Sequence, residues 1–138
     1  MAKLKTKPCD RAAARQRLQS AVSYQQVAAT TAVLSERDDP YRWSSLITNC
    51  VHAGIAAADA ICCAVLGEHA QGDDHQQAIE LLRRVMPGGT DLAKALAALL
   101  AMKTAAGYGT GPLREEKAKR ARRSADRLVS AARERVSA

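Results

Sequence analysis

Aromatic residues are scarce in this chain, whose 138 residues include no Phe, one Trp and three Tyr. Long apolar runs are also missing, because the best candidate, residues 47–66, contains Asn49, His52 and Asp59. A membrane-spanning helix is therefore not predicted. The first residues are basic, but no apolar stretch follows them, so they do not resemble a secretion signal. We expect a cytoplasmic protein with no membrane segment.

Sequence motifs of common enzymes are absent too. The chain has no Gly-x-Ser-x-Gly, phosphate-binding loop, His-Glu-x-x-His or Glu-x-x-His repeat, and we predict no cofactor. Its four cysteines form no Cys-x-x-Cys pair, and with the three histidines they match no zinc-finger spacing, so we predict no metal site. We interpret them as small core residues of a protein in a reducing compartment.

Alanine, leucine and valine dominate the apolar residues, and most of the four Pro and eight Gly fall between long segments with helical periodicity. We predict helices over about 9–34, 41–66, 75–86, 90–108 and 112–137. The second helix is apolar on more than one side and should be central. Short connections favour an all-α, antiparallel up-and-down bundle of four to five helices. Residues 9–138 would form this single domain, and residues 1–8 a basic N-terminal extension.

Positive charge is concentrated at the two ends of the chain. Residues 1–17 contain six basic residues and one acidic residue, and residues 112–138 contain nine basic and four acidic residues. If the terminal helices lie side by side, Lys117, Arg120 and Arg123 would join the N-terminal cations in one region that attracts nucleic-acid phosphates. The alternative is a solvated charged face that only maintains solubility.

Two further sets of residues are candidates for a site. Asn49, His52 and Asp59 share one face of the second helix, so they need one another or a ligand if another element covers that face. Lys103 follows Leu92, Leu96 and Leu99 on the apolar face of the fourth helix, where its amine is either placed for a partner or extends to water. Tyr108 follows five residues later.

The segment Lys103-Thr-Ala-Ala-Gly-Tyr108, followed by Gly-Thr-Gly-Pro and a basic helix, resembles the HEPN family of small helical domains. The second helix, ending at Gly67 before a loop with a histidine, and His75 at the start of the next helix are also similar to that family. The resemblance covers residues 10–137. Lys103 stands at the family's Arg position, Gly107 at its Asp position, and Tyr108 matches.

The resemblance implies a helical bundle, homodimers, and roles in RNA cleavage or in toxin pairs with a nucleotidyltransferase partner. Active HEPN ribonucleases use an Arg followed four to six residues later by a His, and no Arg here has that neighbour. We therefore predict a non-catalytic module that dimerises and binds RNA, a nucleotide or a partner protein. The alternatives are a divergent metal-independent ribonuclease using Lys103, Tyr108 and His52, and a purely structural bundle.

Overall fold

The computed structural model describes residues 4–34, 39–72, 74–108 and 111–138, without the side chains of residues 105, 107 and 108. Five helices and two short strands make up this part of the chain. In chain order they are β1 (Thr6–Pro8), α1 (Arg11–Leu34), α2 (Arg42–Leu66), β2 (Glu68–Ala70), α3 (His75–Leu82), α4 (Gly89–Tyr108) and α5 (Glu115–Ser137). The predicted all-α bundle is confirmed.

The four long helices α1, α2, α4 and α5 run alternately up and down. α2 is the central helix, since it packs against α1, α4 and α5, whereas α1 and α4 occupy opposite corners of the bundle. Gly54 allows this close packing: a Cβ atom placed there would lie 2.5 Å from Leu99 Cδ1 of α4 and 3.3 Å from Leu128 Cδ1 of α5. α2 is long and apolar enough to cross a membrane by length and composition, but 61% of its apolar window is buried inside the fold. This burial is what the core helix of a bundle shows.

Small residues determine how α1 packs. Its fully buried residues are Ala14, Ala21 and Ala28, which recur every seven positions and face the rest of the bundle. Alanine at these positions lets the backbones of neighbouring helices approach closely, because its methyl side chain takes up little room between the two helices. The opposite side of α1 remains exposed to solvent.

Local signals explain where the helices begin and end. The Asp10 side chain accepts a hydrogen bond from the Ala13 amide at the start of α1, and Asp74 does the same for Gln76 at the start of α3. Gly67 ends α2 with a left-handed φ of 72°, and its amide donates to the carbonyl of Cys63. These ends agree with the predicted boundaries to within a few residues.

Two boundaries differ from the prediction. α3 stops at Leu82 rather than at Met86, because the amides of Arg84 and Val85 donate to carbonyls only three residues back and form tight turns. α5 begins at Glu115 rather than at Pro112, since Arg114 has an extended backbone with φ −89° and ψ 155°. α3 is therefore only eight residues long and does not traverse the bundle.

The predicted N-terminal extension is partly built into the fold. β1 pairs antiparallel with β2, with Thr6 opposite Ala70 and Pro8 opposite Glu68. This ribbon could not be predicted from the sequence, because three-residue strands are too short to show an alternating pattern. Residues 6–8 thus belong to the domain that we expected to begin at residue 9.

The interpretation of the cysteines is half right. Cys50 and Cys62 are buried free thiols in the core, as predicted. Cys9 and Cys63 instead form a disulfide with a Cα–Cα distance of 5.5 Å, which excludes them as zinc ligands. The β-ribbon brings Cys9 close to Cys63, because the Cys9 amide donates to the carbonyl of Gly67 just after the end of α2. Disulfides are typical of oxidising compartments, and the cytoplasmic location stays a prediction.

Candidate nucleic-acid interface

An open groove between α4 and α5 brings basic side chains from both helices together. Two alanines of α4 leave room for it, and its volume is about 380 Å³. The residues that line it are Asp91, Lys94, Ala95, Ala98, Arg123, Ser124 and Arg127. Lys94, Arg123 and Arg127 are exposed, so a ligand reaches their charged ends without opening the fold.

The same flank of α5 continues toward its N-terminus as a second groove. Arg114, Glu116, Lys117 and Arg120 line it, together with Pro112 and Leu113. Lys117 stands about two turns before Ser124, and Arg120 about two turns before Arg127, so these residues share one face of α5. We call the five cations of this flank the α5 basic surface: Lys94, Lys117, Arg120, Arg123 and Arg127.

Electrostatically, the α5 basic surface carries an excess of unpaired positive charge. Over the parts of α5 that the structure describes, the one ion pair joins Lys119 to Glu115 at 3.8 Å, and Lys119 is not among the five cations. None of the five makes an ion pair or a side-chain hydrogen bond with another described residue. Two acids, Asp91 and Glu116, line the grooves, so the surface is positive overall. Such a surface attracts polyanions.

Lys117, Arg120 and Arg123 were predicted as binding residues, and the structure places them together on this exposed flank. Lys94 was missing from that set. Lys94 could have been found from its position on the fourth helix, because it falls opposite the Leu92, Leu96 and Leu99 stripe. Only the packing of α4 against α5 shows that it faces the same groove.

The predicted joining of the two basic ends is wrong. α1 and α5 are antiparallel, since Arg11 Nη1 donates to the carbonyl of Val136 at 3.0 Å and Gln25 Nε2 donates to Asp126 at 2.8 Å. The described cations at the start of α1 therefore lie at the C-terminal end of α5. Lys117 is about 29 Å away along the helix axis, at 1.5 Å per residue. The error follows from α3: five full helices would have made α1 and α5 parallel, and four make them antiparallel.

α1 contacts the predicted polar face of α2 at Asp59 and His52, whereas Asn49 lines an open groove beside Ala106 of α4. Asp59 forms a salt bridge with Arg17 at 3.1 Å, and the His52 ring stacks on Tyr24 with centroids 5.1 Å apart. The Asn49 side-chain amide donates to the carbonyl of Ser45 at 2.9 Å. Asp59 and His52 therefore hold α1 against α2, while Asn49 bonds within its own helix. No buried side-chain polar atom in the described part of the chain lacks a hydrogen-bond partner, so the fold requires no ligand here. Sequence reasoning missed the partners Arg17 and Tyr24.

Burial shapes the ionisation of this seam between α1 and α2. Desolvation raises the pKa of Asp59 above its ordinary value, while the charges of Arg17, His69 and His75 lower it in part. Burial also raises the pKa of the Cys62 thiol to about 12. A thiol with so high a pKa stays protonated at neutral pH and is a poor nucleophile.

Lys103 is half-buried on α4, and no partner for it is found among the described side chains. One turn further along α4, Ala106 lines an open groove with Ser44, Thr48 and Asn49 of α2. His52 instead points toward α1, at the opposite corner from α4, so the structure does not bring His52 and Lys103 together. Tyr108 ends α4, and its side chain lies outside the described residues.

Within the described residues, no group of three or more His, Cys, Asp or Glu side chains is arranged to hold a metal ion. Both grooves of the α5 basic surface are open and lined by cations, an arrangement that suits an extended anion better than an enclosed cofactor. No known protein-family model matches the chain, and a search of curated proteins found no similar sequence.

Proposed function

We propose that the protein is a non-catalytic helical module that binds the phosphate backbone of nucleic acid through the α5 basic surface. The observation that supports this proposal is the set of five cations on one flank of α4 and α5, exposed and without ion pairs to other described residues. Cations already paired with carboxylates would gain little from phosphates. Unpaired ones release counterions from the nucleic acid when they bind.

A binding role fits the chemistry of the site better than catalysis. General acid-base cleavage needs titratable groups held together around the scissile bond. The two grooves of the α5 basic surface offer lysines, arginines, the Ser124 hydroxyl and two carboxylates in different grooves, Asp91 and Glu116, and no histidine is among their described lining residues. Membership of the HEPN family and a ribonuclease centred on Lys103 and Tyr108 stay predictions, and the assay below tests the second of them.

The experiment is a titration of a short fluorescent RNA, followed by anisotropy at several salt concentrations. The test variant, Lys117→Gln/Arg120→Gln/Arg127→Gln, removes three cations from the proposed surface. The control, Lys7→Gln/Arg15→Gln/Arg133→Gln, removes the same charge from exposed positions elsewhere. We expect the test variant to flatten the plot of log K against log salt by about 2 for single-stranded RNA and the control to change it little.

Equal losses in both variants would show that net charge alone attracts RNA, and the proposed surface would be rejected. Running the same samples on a denaturing gel tests the alternative function. Intact RNA is expected with wild type. Cleavage that is lost in Lys103→Ala would replace the binding module with a ribonuclease.

We also propose that the module self-associates through the exposed side of α1. Residues 18–34 contain no charged residue, although the chain has a net charge of +7. Val27 and Leu34 are exposed there and line a shallow groove with Ser23 and Thr30. Two copies of this basic chain repel each other, so they associate most favourably through a face that carries no charge. This face offers no charge pattern that would select a different partner.

Contact through α1 would leave the α5 basic surface of each copy free, since α1 and α4 lie at opposite corners. Sedimentation velocity tests the proposal. Val27→Lys should shift a dimer to monomer, whereas Gln71→Lys, an equal charge change at an exposed loop position, should not. A wild-type monomer at high protein concentration would contradict it.

A further inference from the structure

We infer that the α5 basic surface is built for the backbone of a double helix and binds it in preference to a single strand, without reading base sequence. This inference rests on the proposed function. Three features support it: the absence of rings in the grooves, the straightness of the line of cations, and the lack of side chains that read base edges.

Among the residues that the structure describes, no aromatic ring lines either groove. Lys94, Arg123 and Arg127 are accompanied by small and acidic residues, and the second groove adds Pro112 and Leu113. The Tyr and Trp rings that the structure describes lie elsewhere: Tyr24 stacks on His52, Trp43 lies under the Arg42 guanidinium at 4.3 Å, and the exposed Tyr41 lines a separate groove on α2. Proteins that bind single strands gain much of their affinity from bases stacked on aromatic side chains. This surface offers an unpaired base nothing comparable.

Four of the five cations also follow a straight line along one helix, α5. Lys117 and Arg127 are ten residues apart on α5, which corresponds to about 15 Å of helix axis. Over that length a DNA duplex presents about nine phosphate charges, at one per ~1.7 Å of axis. Base pairing already fixes the positions of these phosphates in the duplex. A single strand has fewer charges per length and must lose conformational freedom to lie along the same line.

The described residues that line the grooves lack side chains that could read the base sequence of a bound nucleic acid. Sequence is read by side chains that make paired hydrogen bonds to base edges, commonly Asn or Gln for adenine and a well-held Arg for guanine. The grooves contain no Asn or Gln, and no arginine among the five cations is held by a hydrogen bond to another described residue. The ligand chemistry is therefore a paired phosphodiester backbone, which RNA or DNA duplexes both supply.

The test compares one RNA sequence as an unstructured single strand and as a duplex with its complement, next to a DNA duplex of the same sequence. Anisotropy is measured at matched salt with the full-length protein. We expect roughly tenfold tighter binding of duplex than of single strand at moderate salt. The log K against log salt slopes should be near −4.5 for duplex DNA and −3.5 for the single strand, from five contacts. Comparing the affinities for the RNA duplex and the DNA duplex shows which of the two the surface binds more tightly.

Lys94→Gln provides the matched variant, because Lys94 is the one cation of the surface that α4 contributes. It should reduce the duplex slope by about 0.9, whereas Arg133→Gln, which removes an exposed charge outside the surface, should leave it unchanged. Single-stranded RNA bound as tightly as duplex would overturn this inference and leave the proposed function standing. Failure of both forms to bind would overturn the proposed function itself.

Discussion

The disulfide between Cys9 and Cys63 allows a quantitative prediction about stability. It closes a loop with a sequence separation of 54 residues that includes the whole of α1 and most of α2. In the chain-entropy description, a loop of this size restricts the unfolded chain by about 14 cal/mol/K. This corresponds to about 4 kcal/mol at room temperature, toward the upper end of what a native disulfide contributes.

We therefore expect Cys9→Ala to lower the free energy of unfolding by about 2 to 4 kcal/mol. For a domain of this length, about 4 °C is lost per kcal/mol, so the midpoint of thermal unfolding should fall by about 8 to 16 °C. Dithiothreitol should lower the midpoint of wild type by a similar amount. The Cys9→Ala variant should not respond to the reductant.

Cys62→Ala is the matched control, because Cys62 is a buried cysteine next to Cys63 that is not part of the disulfide. Its response to dithiothreitol should equal that of wild type, whatever its own stability. A thiol count in denaturant without reductant should give two free thiols of four. Four free thiols, or wild-type unfolding that ignores the reductant, would refute the reasoning and restore the reduced state expected of a cytoplasmic protein.

Two further predictions concern the packing of α2. Burial disfavours the charged form of Asp59 and raises its pKa, so the cost of the buried charge is present above that pKa and is lost as the pH falls through it. Wild type should therefore gain stability relative to Asp59→Asn as the pH falls from neutral to about 4. Urea unfolding that shows the same stability difference at every pH would contradict this. Gly54→Ala should destabilise by about 1 kcal/mol, because overpacking against Leu99 outweighs the better helix propensity of alanine. Gly111→Ala, with open space around the position, should be nearly neutral in the same urea assay, and an equally neutral Gly54→Ala would show that Leu99 moves freely.

Much of the helical architecture could be predicted from local patterns. Asp10 and Asp74 mark helix starts through their capping oxygens, and Gly67 marks a helix end because glycine adopts the left-handed backbone without strain. The many apolar sides of the second helix predicted its central position, which is confirmed. These features depend on residues within a few positions of each other, so the sequence alone determines them.

The candidate site depended more on tertiary structure. The outward direction of Lys117, Arg120 and Arg123 could be predicted from their spacing on one helix. Their grouping with Lys94 could not, because it requires α4 and α5 to be neighbours. The seam partners Arg17 for Asp59 and Tyr24 for His52 are likewise set by the packing of α1 on α2.

What the sequence by itself determined is therefore local: the helices, their caps, the central apolar helix and the concentration of positive charge at both ends. Only the tertiary structure decided which distant residues meet. The short α3 makes α1 and α5 antiparallel and separates the two basic ends, and the β-ribbon brings Cys9 to Cys63. The physical reason is that hydrogen bonds and backbone preferences act over a few residues, whereas direction and pairing follow from burying all apolar faces at once.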